Sequence, residues 1–217
     1  MIDMISDDKL TTEGLKNEYS EKSNNILLLA CGALAREILT LKSLNNWAGM
    51  DLQCLPANLH LFPNKIPDAV ATAVDKNKDF YSKIFVVYAD CGTGGLLKNK
   101  CDQLGVEMIE GPHCYSFFDG NETFNKNMEN EITSFYLTDF LVRQFDAFVW
   151  QPMGLDKYPE LRDTIFGNYE KVIYLAQTND PSLTKKAMEA AKRLSLKFER
   201  RFTGYGDLYE TLRKVSE

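Results

Sequence analysis

The apolar run Ile84-Phe85-Val86-Val87 leads without a break into Tyr88-Ala89-Asp90-Cys91-Gly92-Thr93-Gly94-Gly95. β-Branched and aromatic residues in a continuous run make a buried strand, and the glycines behind it end that strand sharply. The arrangement recurs twice. Ile26-Leu27-Leu28-Leu29-Ala30 runs into Cys31-Gly32, and Val106-Glu107-Met108-Ile109 is broken by Gly111-Pro112 just ahead of His113-Cys114-Tyr115. If these strands lie parallel, Cys31, Cys91 and Cys114 converge on the carboxyl edge of the sheet, where open α/β folds place their sites.

The intervening segments carry the helical period. Gly32 to Asn46 spaces Leu34, Ile38, Leu39, Leu41 and Leu44 as a helix, and Met50 to Leu55 alternates as a second strand ending at Pro56. Leu59-His60-Leu61-Phe62-Pro63 reads as loop, Pro67 to Val74 as a helix with proline in its first turn, and Leu96 to Leu104 as a helix carrying Cys101. Glu122 to Trp150 contains neither proline nor glycine, and Phe124, Met128, Ile132, Phe135, Leu137, Phe140, Leu141 and Phe145 follow a largely helical stripe. One long inserted helix is expected there. Lys157 to Phe166 reads as a helix capped by Asp156, Val172 to Ala176 as a strand, and Asn179-Asp180-Pro181 as the cap of a helix reaching Leu194. Leu196 to Phe202 is the last strand and Tyr205 to Val215 the last helix. The expected fold is α/β, a mostly parallel, Rossmann-like sheet with helices on both faces. It forms a single domain over residues 26–217, behind an exposed lead-in at residues 1–25.

A chain of 217 residues buries about 70% of its unfolded surface as one domain. No apolar run approaches the roughly 20 residues that cross a bilayer, so no membrane association is expected. The acidic start, with Asp3, Asp7, Asp8, Glu13, Glu18 and Glu21, lacks the cationic and apolar regions of a signal peptide, which points to the cytoplasm. A net charge of −6 with no basic cluster beyond Glu199-Arg200-Arg201 argues against nucleic acid as the main partner and leaves a small-molecule substrate as the expectation. The five cysteines are then free thiols, ligands or nucleophiles rather than disulfides.

Position separates them. Cys54 inside a strand and Cys101 inside a helix read as small buried hydrophobes, whereas Cys31, Cys91 and Cys114 stand in turns. Three converging thiols, with His60 or His113 as a further ligand, would suit zinc or an iron–sulfur cluster. No paired Cys-x-x-Cys knuckle decides between them. Gly92, Thr93, Gly94 and Gly95 offer either a cradle for an anionic cofactor group at a helix start or a tight turn that exposes Cys91. Asp90 is placed to orient His113 or a ligand. Arg36 and Glu37, one turn past Cys31, either face the same edge or form a surface ion pair. Tyr88, Tyr115, Tyr136 and Asp139 are further candidates.

At these turns the chain resembles the domain-of-unknown-function family 1638. The likeness rests on Ala30-Cys31-Gly32-Ala33-Leu34 with Arg36-Glu37, on Pro56 to Pro63 with Leu59-His60, and on Tyr88 to Gly95. It continues through Gly111-Pro112-His113-Cys114-Tyr115, Phe135 to Phe140, Gly167-Asn168-Tyr169 and Tyr174-Leu175-Ala176-Gln177, and covers nearly everything after residue 25. The family's motif cysteines fall on Cys31, Cys91 and Cys114. The resemblance implies a setting beside corrinoid-dependent methyltransferase systems, with a corrinoid protein or methyltransferase as partner. No corrinoid-ligating Asp-x-His-x-x-Gly is present, so cobalamin itself is not expected.

Three readings follow. In the first, Cys31, Cys91, Cys114 and His60 hold the metal or cluster and His113, Asp90, Arg36 and Glu37 serve the chemistry, in one-carbon or methylated-amine metabolism. In the second, Cys91 or Cys114 is a metal-free nucleophile activated by His113 or a helix N-terminus. In the third, the chain is a non-catalytic accessory of a methyltransferase system.

Overall fold

The computed structural model describes residues 5–17 and 25–217. Residues 1–4 and 18–24 of the expected lead-in lie outside the described residues. The chain divides into two compact units, the first running to Cys114 and including Leu208–Glu217, the second Tyr115–Asp207, where the sequence reading anticipates one continuous domain.

The first unit holds four parallel strands, β1 (Ile26–Cys31), β2 (Met50–Leu55), β3 (Lys83–Val87) and β4 (Glu107–Met108), in the order β2-β1-β3-β4. The register places Ala30 beside both Cys54 and Val87. Leu27, Leu28, Leu29, Ala30, Val86 and Val87 are fully buried, as continuous apolar runs in a two-sided parallel sheet require. The crossovers are helices α2 (Ala35–Leu44), α3 (Ile66–Asn77) and α4 (Leu96–Leu104), where a short 3-10 turn at Gly32–Leu34 precedes α2. Having laid β2 on one side of β1, the chain lays β3 on the other. The β1–β3 boundary is thus the topological switch point, where loops leave in opposite directions and open a crevice above the strands.

The described part of the lead-in is not exposed throughout. Helix α1 (Asp7–Thr12) buries Leu10 completely, and Leu15 forms an antiparallel bridge with Cys54. A Cβ at Gly32 would run into the Leu10 carbonyl oxygen, so only glycine lets α1 lie against the turn behind β1. At the other end of the chain, Tyr209 stacks on Trp47 at 6.2 Å.

The second unit corrects the expectation of one long helix. Residues 122–150 form the end of α6 (Asn121–Asn127), a strand, α7 (Asp139–Arg143) and a π-helical turn at Asp146–Trp150. The strand, β5 (Ser134–Leu137), pairs parallel with β6 (Lys171–Ala176), which pairs with β7 (Lys197–Phe202). Thr138 begins α7 by accepting the Leu141 N–H, so the helix starts afresh after the strand. A short α5 (Ser116–Asp119) precedes α6, and α8 (Leu161–Phe166) starts later than expected, with Glu160 rather than Asp156 at its N-cap. Helix α9 (Pro181–Leu194) is capped by Asp180 as the sequence predicts, its carboxylate accepting the Ser182 N–H at 2.7 Å. Helix α10 (Gly206–Ser216) closes the chain.

The carboxyl end of this second sheet is organised by Asp139, 1% exposed. Its carboxylate accepts from the Tyr174 hydroxyl (2.7 Å), the Thr178 hydroxyl (2.6 Å) and the backbone N–H groups of Gln177 and Thr178 (both 3.1 Å). Asp139→Ala strands several of these donors in the interior, so it should lower the unfolding free energy by roughly 3 kcal/mol. Urea denaturation measures this, and a loss below about 1 kcal/mol would show that the network is dispensable.

Candidate functional site

The turns behind β3 and β4 bring Cys91 and Cys114 into contact, and β1 ends at Cys31 nearby. Register carries Cys31 to the position beside Tyr88, because Ala30 stands beside Val87 one residue earlier. Behind β3 the chain turns sharply. Cys91 (φ 47°) and Gly92 (φ 82°) are both left-handed, and the Thr93 N–H donates to the Asp90 carbonyl at 3.0 Å. That is the pattern of a type I′ turn. Glycine adopts it freely, but a cysteine at positive φ costs of order 1–3 kcal/mol, the kind of strain that concentrates at functional sites.

Two further bonds fasten this turn to the next one. The Asp90 N–H donates to the Gly111 carbonyl and the Cys91 N–H to the Pro112 carbonyl, both at 3.0 Å. The outcome is a contact of 3.1 Å between the sulfurs of Cys91 and Cys114. Cys91 is 3% exposed, while His60, in the 3-10 turn Ala57–Leu61, is exposed and directs its side chain to the Cys91 sulfur. The thiol donation of Cys114 holds Cys91 well below the ordinary thiol range, with His60 adding to the effect against the opposing influence of burial. Cys114 is correspondingly pushed up, by its bond to Cys91, by burial and by the Cys91 charge. The two sulfurs thus titrate as a pair in which Cys91 loses its proton more readily than Cys114.

The other thiols stay protonated. Burial pushes Cys31 up to about 12, with the Cys91 charge adding to it, and burial likewise raises Cys54 and takes Cys101 to about 11. The buried Tyr88 hydroxyl has no hydrogen-bond partner; burial first and the neighbouring thiols second raise its pKa. His113 sits below the ordinary imidazole value because burial outweighs the nearby charges of Cys91 and Asp90. It is therefore a neutral neighbour, and His60 is the histidine facing Cys91.

Asp90 and the glycines act together. The Asp90 carboxylate accepts from the Thr93 hydroxyl (2.7 Å) and from the N–H groups of Gly94 (3.0 Å) and Gly95 (2.7 Å). The Gly92–Gly95 loop thus cradles an anion belonging to the chain itself. These bonds outweigh partial burial and keep Asp90 below the usual carboxylate range, which makes it a positioning residue for the Cys91 turn. Arg36 donates to Asp7 (3.0 Å) and to the Ile5 carbonyl, so its ion-pair partner is α1 rather than Glu37. Glu37 is buried near Cys54. Tyr115, Tyr136 and Asp139 belong to the second unit, where Tyr115 stacks on Tyr136 and the Tyr136 hydroxyl donates to Glu131.

A groove of about 610 Å³ lies elsewhere in the first unit, lined by Lys83 and Ile84 at the start of β3 and by the ends of α3 and α4. It lies at the amino end of the strands and its lining contains no cysteine or histidine.

Among the described residues, no group of three or more His, Cys, Asp or Glu side chains is arranged to hold a metal ion. Sulfur donors are the right chemistry for zinc or iron, but two thiolates on one tetrahedral zinc stand about 3.8 Å apart, given zinc–sulfur bonds of about 2.3 Å. At 3.1 Å the Cys91–Cys114 pair would have to spread to share such an ion.

The family profile described as a protein of unknown function (DUF1638) matches residues 54–212. The chain belongs to the DUF1638 family. The matched span contains His60, Cys91, His113 and Cys114 and begins beyond β1 and Cys31, narrower than the likeness read from residue 25 onward. No curated protein and no solved structure matches the chain.

The strain at Cys91 is measurable. Cys91→Gly should be more stable than Cys91→Ala by about 1 kcal/mol, because only glycine relaxes at positive φ. Equal unfolding free energies for the two variants would show that the turn carries no strain.

Proposed function

We propose that the chain is a thiol-dependent enzyme in which Cys91, as thiolate, attacks a soft electrophile. The observation that carries this reading is the 3.1 Å contact between the Cys91 and Cys114 sulfurs, with the exposed His60 adding to the lowering of the Cys91 pKa. A thiolate is the nucleophilic form of cysteine, and neighbouring donors are what stabilise it near neutral pH. Asp90 and the strained turn hold the sulfur in place, and the exposed Leu61 and Phe62 flank His60 at the surface. The family resemblance suggests one-carbon or methylated-amine chemistry as the setting, in the cytoplasm, beside a corrinoid protein or its methyltransferase.

The second reading keeps zinc or an iron–sulfur cluster on Cys31, Cys91, Cys114 and His60, and it is favoured by the third thiol, since Cys31 is near enough to influence the titration of Cys114. There the group would supply Lewis acidity or activate a thiolate. The accessory reading has no particular feature of the site in its favour.

Alkylation by iodoacetamide separates the first two. In chelator-treated protein at neutral pH, Cys91 should react first and roughly tenfold or more faster than an ordinary thiol with a pKa near 8.5. Its pKa is depressed, so the thiolate persists as pH falls and reactivity is lost only as pH drops through the folded value. His60→Gln should move that midpoint upward. Slow, uniform labelling of all five cysteines, or tightly held stoichiometric metal in protein purified without oxygen, would contradict the metal-free reading.

A further inference from the structure

A nucleophilic cysteine needs no second thiol beside it, yet the Cys91 and Cys114 sulfurs are 3.1 Å apart. A disulfide bond is about 2.05 Å, so about 1 Å of movement joins them. The bonds from Asp90 to Gly111 and from Cys91 to Pro112 hold the two turns at this spacing. The remaining cysteines are set apart by their environment: Cys54 and Cys101 lie inside a strand and a helix, and Cys31 is the buried last residue of β1. With Cys91 only 3% exposed, a small molecule suits this sulfur better than a folded protein surface.

From this geometry we propose that the site carries out thiol–disulfide exchange with a low-molecular-weight disulfide, Cys91 attacking and Cys114 resolving. The proposal rests on the nucleophilic role of Cys91 given above and names its substrate class. In the first step the Cys91 sulfur attacks one sulfur of the substrate; the substrate S–S bond breaks, a mixed disulfide forms and one thiolate leaves. That thiolate takes the proton of the Cys114 thiol and departs as a thiol. The Cys114 sulfur then attacks the Cys91 sulfur, the mixed disulfide breaks and the second half of the substrate leaves as a thiolate. One thiolate and one thiol of the protein become a disulfide, and the substrate disulfide becomes one thiol and one thiolate, so two electrons pass to the substrate.

The test uses the full chain, reduced and chelator-treated without oxygen, mixed with one equivalent of dithiobis(nitrobenzoate), an aromatic disulfide whose released thiolate is coloured. Wild-type protein should release both coloured halves of each reagent molecule, retain no adduct and lose two hydrogens in intact mass. Peptide mapping should find Cys91 joined to Cys114. Cys114→Ser should release one half and keep the other on Cys91. Wild-type protein that keeps the adduct on Cys91, or joins Cys91 to a different cysteine, would overturn the exchange proposal and leave the nucleophile reading intact. Labelling spread equally over the cysteines would overturn both. The wild-type stoichiometry and map decide the matter even if the serine variant fails to fold.

Discussion

Everything at the candidate site depends on one contact, the approach of the Cys91 and Cys114 sulfurs to 3.1 Å. Two thiolates at that distance repel, so one proton stays between them and the pair behaves as a single titrating unit. The proton's location is set by what surrounds each sulfur. Cys91 faces His60 as well as the Cys114 thiol, whereas Cys114 has burial and the neighbouring Cys91 charge against it. Cys91 is therefore the sulfur of the pair that loses its proton more readily, although burial alone would keep it neutral.

The fold supplies the rigidity that this contact requires. Parallel strands with fully buried apolar runs fix where β1 and β3 end, and the reversal of winding between them opens the space above. The turn at Cys91 is held from two sides: by Asp90 within it and by the Gly111 and Pro112 carbonyls beside it. Left-handed geometry at Cys91 is unfavourable in isolation and persists because so many groups determine it.

Much of this was legible in the sequence because the signals were local. Apolar runs ending in Cys-Gly or in Gly-Pro marked the strand ends, and Asn179-Asp180-Pro181 marked a helix cap. Two things were not local. The strand order β2-β1-β3-β4 is what sets Cys31 beside Tyr88, and no spacing encodes it. The sequence offers both His60 and His113 as partners for the cysteines, and only the fold, which sets the turn behind β2 near the turn behind β3, distinguishes His60 as the one that faces Cys91. The missed strand Ser134–Leu137 has a different cause. It is bounded by an asparagine-rich turn and by Thr138 rather than by glycine or proline, so the usual breaks were absent, and apolar residues either side of it happen to continue a helical stripe.

The shared proton can be observed directly through the far-ultraviolet absorbance of thiolate, titrated from acid to alkaline pH. The account predicts one thiolate per chain that survives to pH values well below the ordinary thiol range, disappears in Cys91→Ser and titrates at higher pH in Cys114→Ser. A wild-type titration in which no thiolate forms until the ordinary thiol range is reached would contradict it.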